Sequence, residues 1–286
     1  MNAQCIVMEE SAFNMKSESE YRHDIIEVCR RIYQKGYVAS NDGNVTVRMS
    51  EDEILATPTG MSKGDISSDQ LIKVDMDGKV IAGFHQPSSE LKLHIRAYEK
   101  RTDVRSVVHA HPPISTGFAV AGIALEQMAI PEVITTLGRI PLAPYGTPST
   151  EELAHTIDEY ICSCNAILLA NHGALTVGPD VFSAYYTMER VEHSAHIIWV
   201  AKSLGGERPL SKESISKLAE IRKKMMSGNN ARCATCPLLQ AEMDKEHNRA
   251  DEQELIDLIA RVTADVIRET GGMRVLKNGV MEVKMD

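Results

Sequence analysis

The stretch VRSVVHAH, Val104 to His111, decides how this chain is read. By composition it is a buried strand, apolar and β-branched up to the first histidine. Side chains alternate along a strand, so His109 and His111 fall on one face with their Cα atoms about 6–7 Å apart, a chelating spacing. A second apolar run, AILLA at 166–170, leads into Asn171-His172-Gly173 and brings a third imidazole to the end of another strand. Three imidazoles with one open position suit a catalytic zinc or a similar divalent ion. Alone, an HxH pair reads more simply as strand-end packing, and the rest of the chain has to decide.

Around these strands the periodicities alternate. Tyr21–Tyr37 carries Ile25, Ile26, Cys29, Ile32 and Tyr33 at helical spacing and closes at Gly36. Short β-branched runs follow at 44–48 and 53–57. Asp75-Met76-Asp77-Gly78 is a turn signal between 71–74 and 79–82, which predicts a hairpin. Pro87-Ser88-Ser89-Glu90 places hydroxyl caps before a helix with Leu91, Ile95 and Tyr98 on one side. Further helices are expected over 150–161, 182–204 and 211–226. Strands interspersed with helices indicate an α/β class.

The spacing also suggests where an anion would sit. Ser88 and Ser89 lie at a helix N-terminus, where the dipole and free N–H groups favour phosphate. Gly43-Asn44 and Thr57-Pro58-Thr59-Gly60 could add amide and hydroxyl donors. Each of these also reads as an ordinary cap or turn.

Composition narrows the class. The chain has 286 residues, 31 Lys+Arg against 40 Asp+Glu and a net charge of −9, which argues against a general nucleic-acid binder. No apolar run approaches the roughly 18 residues of a membrane span. The first residues carry acids where a secretory signal would be basic, so a cytoplasmic protein is expected. Six cysteines (5, 29, 162, 164, 233 and 236) suit a reducing compartment rather than a disulfide scaffold. Cys233-x-x-Cys236 is two ligands short of a Cys₄ site. His94 reads as packing beside the site, and His193 and His196 as the surface of their helix.

Taken in order, GNVTVR, TPTG, PSSE, HAH, APYG and NHG over about 18–228 resemble the class II aldolase and adducin family, closest to its fuculose-phosphate branch. The resemblance implies a three-layer α/β/α domain around a largely antiparallel sheet, usually a homotetramer. It places the metal on His109, His111, His172 and Glu90, with one Zn²⁺ or other divalent cation per chain, and makes Glu90 the catalytic carboxylate. It places the substrate phosphate on Gly43, Asn44, Thr59, Gly60, Ser88 and Ser89. The implied reaction is retro-aldol cleavage of L-fuculose 1-phosphate or L-rhamnulose 1-phosphate to dihydroxyacetone phosphate and L-lactaldehyde. Alternatives on the same scaffold are a sugar-phosphate epimerase or dehydratase, and a noncatalytic adducin-like module, against which the complete His/Glu set argues. One departure stands out. Where the family's fuculose enzymes carry a proton-donating tyrosine from the neighbouring subunit, Ile130–Thr136 has none, which leaves Glu132, Tyr145 or a C-terminal residue as substitutes.

The chain is expected to divide into a leader (1–17), the enzyme domain (18–228), a linker (229–250), an amphipathic helix (251–271) and a tail (272–286). Leu255, Ile259, Val262 and Val266 form an apolar stripe on that helix. It resembles an encapsulation peptide of bacterial microcompartment enzymes, which implies a shell or cargo partner and a location inside such a compartment. The plainer alternative is a helix docked on its own tetramer.

Overall fold

Helix α1 (Glu18–Gln34) opens with a reciprocal cap: Ser17 Oγ accepts from the Glu20 amide, and Glu20 accepts from the Ser17 amide. It buries Ile25, Cys29 and Ile32, as its spacing predicts, and Val28 besides, while Ile26 is half-buried and Tyr33 exposed. In the computed structural model the described residues are 16–226, 274–275 and 281–282. The expected linker and amphipathic helix, and most of the leader and tail, lie outside them. The chain divides into two compact units, 1–236 and 237–286. In the second, β9 (Arg274–Val275) and β10 (Met281–Glu282) pair antiparallel.

The first unit is built on β1 (Asn44–Arg48), β2 (Ile54–Ala56), β3 (Ile72–Val74), β4 (Val80–Ala82), β5 (Ser106–Ala110), β6 (Leu142–Ala143), β7 (Ala166–Leu169) and β8 (Gly173–Gly178). Their spatial order is β4-β3-β2-β1-β5-β8-β7-β6. Every pair is antiparallel except β6 with β7. The sheet is thus largely antiparallel, as the resemblance implies. The hairpin at 75–78 forms where its turn residues predict. β8 is the strand that composition hides, because GALTVG begins and ends in glycine and offers no long apolar run.

Helices cover both faces. One face packs Val45, Val47, Val108 and Ala110 under α1, α3 (Pro113–Val120), α4 (Pro131–Thr136) and the long α6 (Val181–Ser203). The other packs Ile54, Ile72, Val107 and Leu175 under α2 (Leu91–Lys100) and α5 (Glu151–His155). A three-layer α/β/α arrangement results. At roughly 1.5–3 kcal/mol per buried aliphatic side chain, these two cores dominate stability, so polar residues at the strand ends are free to serve chemistry.

Two expectations need correction. The helix foreseen over 150–161 stops at His155 and continues as turns. Thr156 Oγ1 donates to the Leu153 carbonyl at 2.7 Å, a local bond that competes with helix continuation. The serines of PSSE do not cap α2 either. Its N-cap is Glu90, which makes no capping bond with its side chain.

Candidate metal centre

Each donor reaches the site from a different element. His109 sits inside β5 and His111 just beyond it, where the His111 amide donates to the Tyr37 carbonyl at 2.8 Å. His172 lies in the tight loop between β7 and β8, which turns through Asn171 at φ 58°. Asparagine tolerates that left-handed conformation better than most side chains. Gly173 is required by space: a Cβ there would lie 2.5 Å from His111 Cδ2 and 2.6 Å from the Ala110 carbonyl oxygen. Glu90, released from capping, turns its carboxylate inward.

The result is a tight cluster. The ring centroids of His109, His111 and His172 lie 4.9, 4.8 and 5.1 Å apart pairwise, and one ligand atom from each falls within 4.8 Å of the others. His172 Nε2 stands 2.9 Å from Glu90 Oε1, and His109 Nε2 stands 3.3 Å from Glu90 Oε2. His109 Nδ1 is 3.0 Å from the Ala174 carbonyl. That oxygen can only accept, so Nδ1 carries the proton and Nε2 presents its lone pair to the cluster, the tautomer a metal ligand needs. A lone pair then faces a carboxylate oxygen at 3.3 Å, a contact that a cation between them would turn from repulsive to attractive. The donor set therefore fits a divalent ion, and His109, His111, His172 and Glu90 are the residues that would hold it.

Electrostatics agree with the geometry. Burial pushes His109 down to about 3, against the opposing pull of Glu90, so its ring is neutral at physiological pH. Burial also lowers His111. For Glu90 burial works against ionisation, but the hydrogen bonds from His172 and the Asn44 amide outweigh it and hold the carboxyl below the usual carboxylate range. A neutral His109 beside an ionised carboxylate is the pairing that binds a cation.

The register of β1 on β5 supplies the fourth wall. Asn44 pairs directly with His109 across the strands. Its Nδ2 donates to Glu90 Oε2 at 2.9 Å and to Ser88 Oγ at 3.2 Å, while Ser88 Oγ also accepts from the Glu90 amide at 3.3 Å. Gly43, at φ 72°, makes this approach feasible, since a Cβ would lie 2.9 Å from the His109 carbonyl oxygen. Pro58 bridges to Pro87, and the Thr59 amide donates to the Gln86 carbonyl at 3.0 Å, so the TPTG loop lies alongside the PSSE loop. Asn44 and Ser88 meet the cluster directly. Thr59, Gly60 and Ser89 are exposed on the neighbouring loops.

Two residues near the cluster escape sequence reasoning. Asp42 places Oδ2 3.6 Å from His111 Nδ1, although its position beside GNVTVR could have suggested a carboxylate partner for a ligand histidine. Lys63 is buried, at 1% exposure, with no local signal to mark it. The other expectations have definite places. His94 is fully buried, bonded through Nδ1 to Thr46 Oγ1 at 2.8 Å. His193 and His196 line a cavity of about 460 Å³ with Lys35, Tyr37 and Glu189 on the α1/α6 side. Glu132 and Tyr145 are exposed, and among the described residues neither side chain bonds the cluster.

Sheet, strand-end histidines and inward carboxylate together define a class II aldolase-type lyase fold. The family model described as the class II aldolase and adducin N-terminal domain matches residues 23–199, and the chain belongs to that family. It is similar to 3-oxo-tetronate 4-phosphate decarboxylase of Escherichia coli K12, at 30% identity over 72% of this chain and 97% of that protein. It is likewise similar to L-fuculose phosphate aldolase of Methanococcus maripaludis, at 32% identity over 63% of this chain and 97% of that one. A solved L-fuculose 1-phosphate aldolase superposes with a TM-score of 0.66 at 28% identity, covering 72% of this chain and 97% of the other. The chain is thus a sugar-phosphate lyase of this family. No described helix is long and apolar enough to cross a membrane.

Proposed function

We propose that this lyase performs retro-aldol cleavage of a ketose 1-phosphate, L-fuculose 1-phosphate first and L-rhamnulose 1-phosphate second, giving dihydroxyacetone phosphate and L-lactaldehyde. The observation that carries this reading is Glu90, a buried carboxylate held between His109 and His172 and touching Asn44, which in turn touches Ser88. A divalent ion, Zn²⁺ for preference, would supply Lewis-acid stabilisation of the negative charge that develops on the substrate oxygens. The chain supplies the rest. Gly43, Asn44, Thr59, Gly60, Ser88 and Ser89 bind the phosphate and fix the carbonyl end over the histidines. As the C3–C4 bond breaks, its electron pair passes to C3 and the C2 oxygen, the C4 hydroxyl loses its proton, and the aldehyde leaves. Glu90, ionised at rest, takes up that proton, delivers it to C3 and is left ionised again, the state its neighbours favour. Glu132, Tyr145 or a C-terminal residue, in place of the missing tyrosine, relays the C4 hydroxyl proton to Glu90.

A second reading, favoured by the similarity to the decarboxylase, is loss of CO₂ from a 3-oxo acid 4-phosphate. There the bond electrons flow to the same place, and no base is needed to form an aldehyde, which suits a chain without the tyrosine. Supplying each substrate class separately and measuring lactaldehyde against released CO₂ separates the two, since a four-carbon 3-oxo acid 4-phosphate also leaves a triose phosphate when it loses CO₂. Triose phosphate from none of the ketose 1-phosphates would end the aldolase reading.

The enzyme is proposed to act as a homotetramer, with 251–271 addressing it to a microcompartment. Deleting 246–286 should leave an active enzyme that stays dispersed. A lowered melting temperature or a changed oligomeric state would instead assign that segment to the tetramer.

A further inference from the structure

Lys63 is among the largest fully buried side chains of the protein, yet no carboxylate lies within ion-pair distance of it among the described residues. Its Nζ donates to the Met61 carbonyl at 2.8 Å and to the Asn41 carbonyl at 3.1 Å. Burying an ammonium with no counter-ion in contact is costly, and the desolvation lowers its basicity although Cys29, Asp42 and Glu90 pull it back from farther off. An apolar residue of the same length would avoid that cost, so packing alone does not account for a lysine here. Its two acceptors explain it better. Met61 directly follows Thr59-Gly60, and Asn41 directly precedes Asp42, Gly43 and Asn44. These loops are 22 residues apart at the contact, and both contribute to the phosphate site described above. The first has exposed Thr59 and Gly60, and the second has exposed Ser40, Asn41 and Asp42, with Ser40 at φ 52°. Neither is anchored by much apolar burial, so one buried cation between two carbonyls is a disproportionate share of what fixes their separation.

We infer that Lys63 is a positioning residue that clamps the 40–44 loop to the 59–61 loop, holding two of the three loops of the phosphate site at the spacing a phosphate group requires. The inference rests on the phosphate site proposed above, but it does not depend on which bond is cleaved. Lysine suits the task because its charged donors hold neutral carbonyls firmly, a bond to an ionised group being about twice as strong as a neutral one. Methionine in its place would keep the apolar stem and lose both bonds.

The test uses the full-length, metal-loaded protein with inorganic phosphate as probe. Lys63→Met should weaken phosphate binding, measured by calorimetry, about tenfold, the scale of losing charge-assisted bonds, while the metal content per chain stays at the wild-type value. With an active substrate, KM should rise and kcat change little. Unchanged phosphate affinity, whatever the melting temperature does, would overturn the clamp and leave the lyase reading intact. Wild-type hydrogen exchange gives an answer that needs no variant. Added phosphate should slow exchange at 40–44 and 59–61 together, and slowing confined to one loop would overturn the coupling.

Discussion

The histidine cluster and the phosphate loops lie side by side and are built in opposite ways. In the cluster the three histidines stand on or next to central strands and Glu90 at the start of α2, and three of the four are held by hydrogen bonds: His109 by the Ala174 carbonyl, His111 through its amide on Tyr37, and Glu90 by Asn44. Across the way, Thr59, Gly60 and Ser89 are exposed, and the loops depend on a few backbone bonds and the Lys63 ammonium. Groups that must meet to within tenths of an ångström are set by sheet register. Groups that receive a whole phosphate tolerate a looser frame.

That contrast orders the expected effects of mutation. The largest should come from the cluster: His109→Ala, His111→Ala or His172→Ala should each lower metal content, measured by elemental analysis, and remove nearly all activity, which added Zn²⁺ restores in the chelated wild type but not in the variants. Metal content unchanged in all three would break the assignment. Next, Glu90→Gln should keep the fold and phosphate binding yet lose about 10²–10⁴-fold in kcat, the usual range for a proton-transferring group. Near-normal turnover would show that another base works. On the loop side, Ser88→Ala should raise KM by about tenfold or less with kcat nearly unchanged, because phosphate contacts persist through the reaction. A fall in kcat alone would mean that Ser88 acts on the cluster through Asn44.

The smallest effect concerns pH and sharpens the contrast from within the rigid side. Burial pushes His94 down to about 4 and His109 down to about 3. Below the ordinary histidine range of about 6.5, the unfolded chain binds protons that the folded chain refuses. Stability is therefore full above that range and falls as pH drops toward 4. Urea melts across this window should show the decline, with a shallower slope in His94→Gln. Equal slopes would mean that His94 does not contribute to acid sensitivity.

Much of this was legible in sequence because it is local. Strand and helix periods, the 75–78 turn and the two-residue spacing of His109 and His111 follow from chain geometry, and the ordered motifs carried the family, the sheet type and the candidate donors. Less was legible where long-range pairing decides. Asn44 comes to face His109 only through the β1/β5 register. β8 is a strand because β5 and β7 flank it, not because GALTVG favours one. Glu90 is an N-cap whose side chain abandons capping for the histidines, and Lys63 has no signal in its own neighbourhood. Sequence by itself determined the residue types able to bind a cation and a phosphate, since those are properties of side chains and short-range spacing. Only the tertiary structure decided which of them meet, because hydrogen-bond registry and burial are properties of segments brought together from far along the chain.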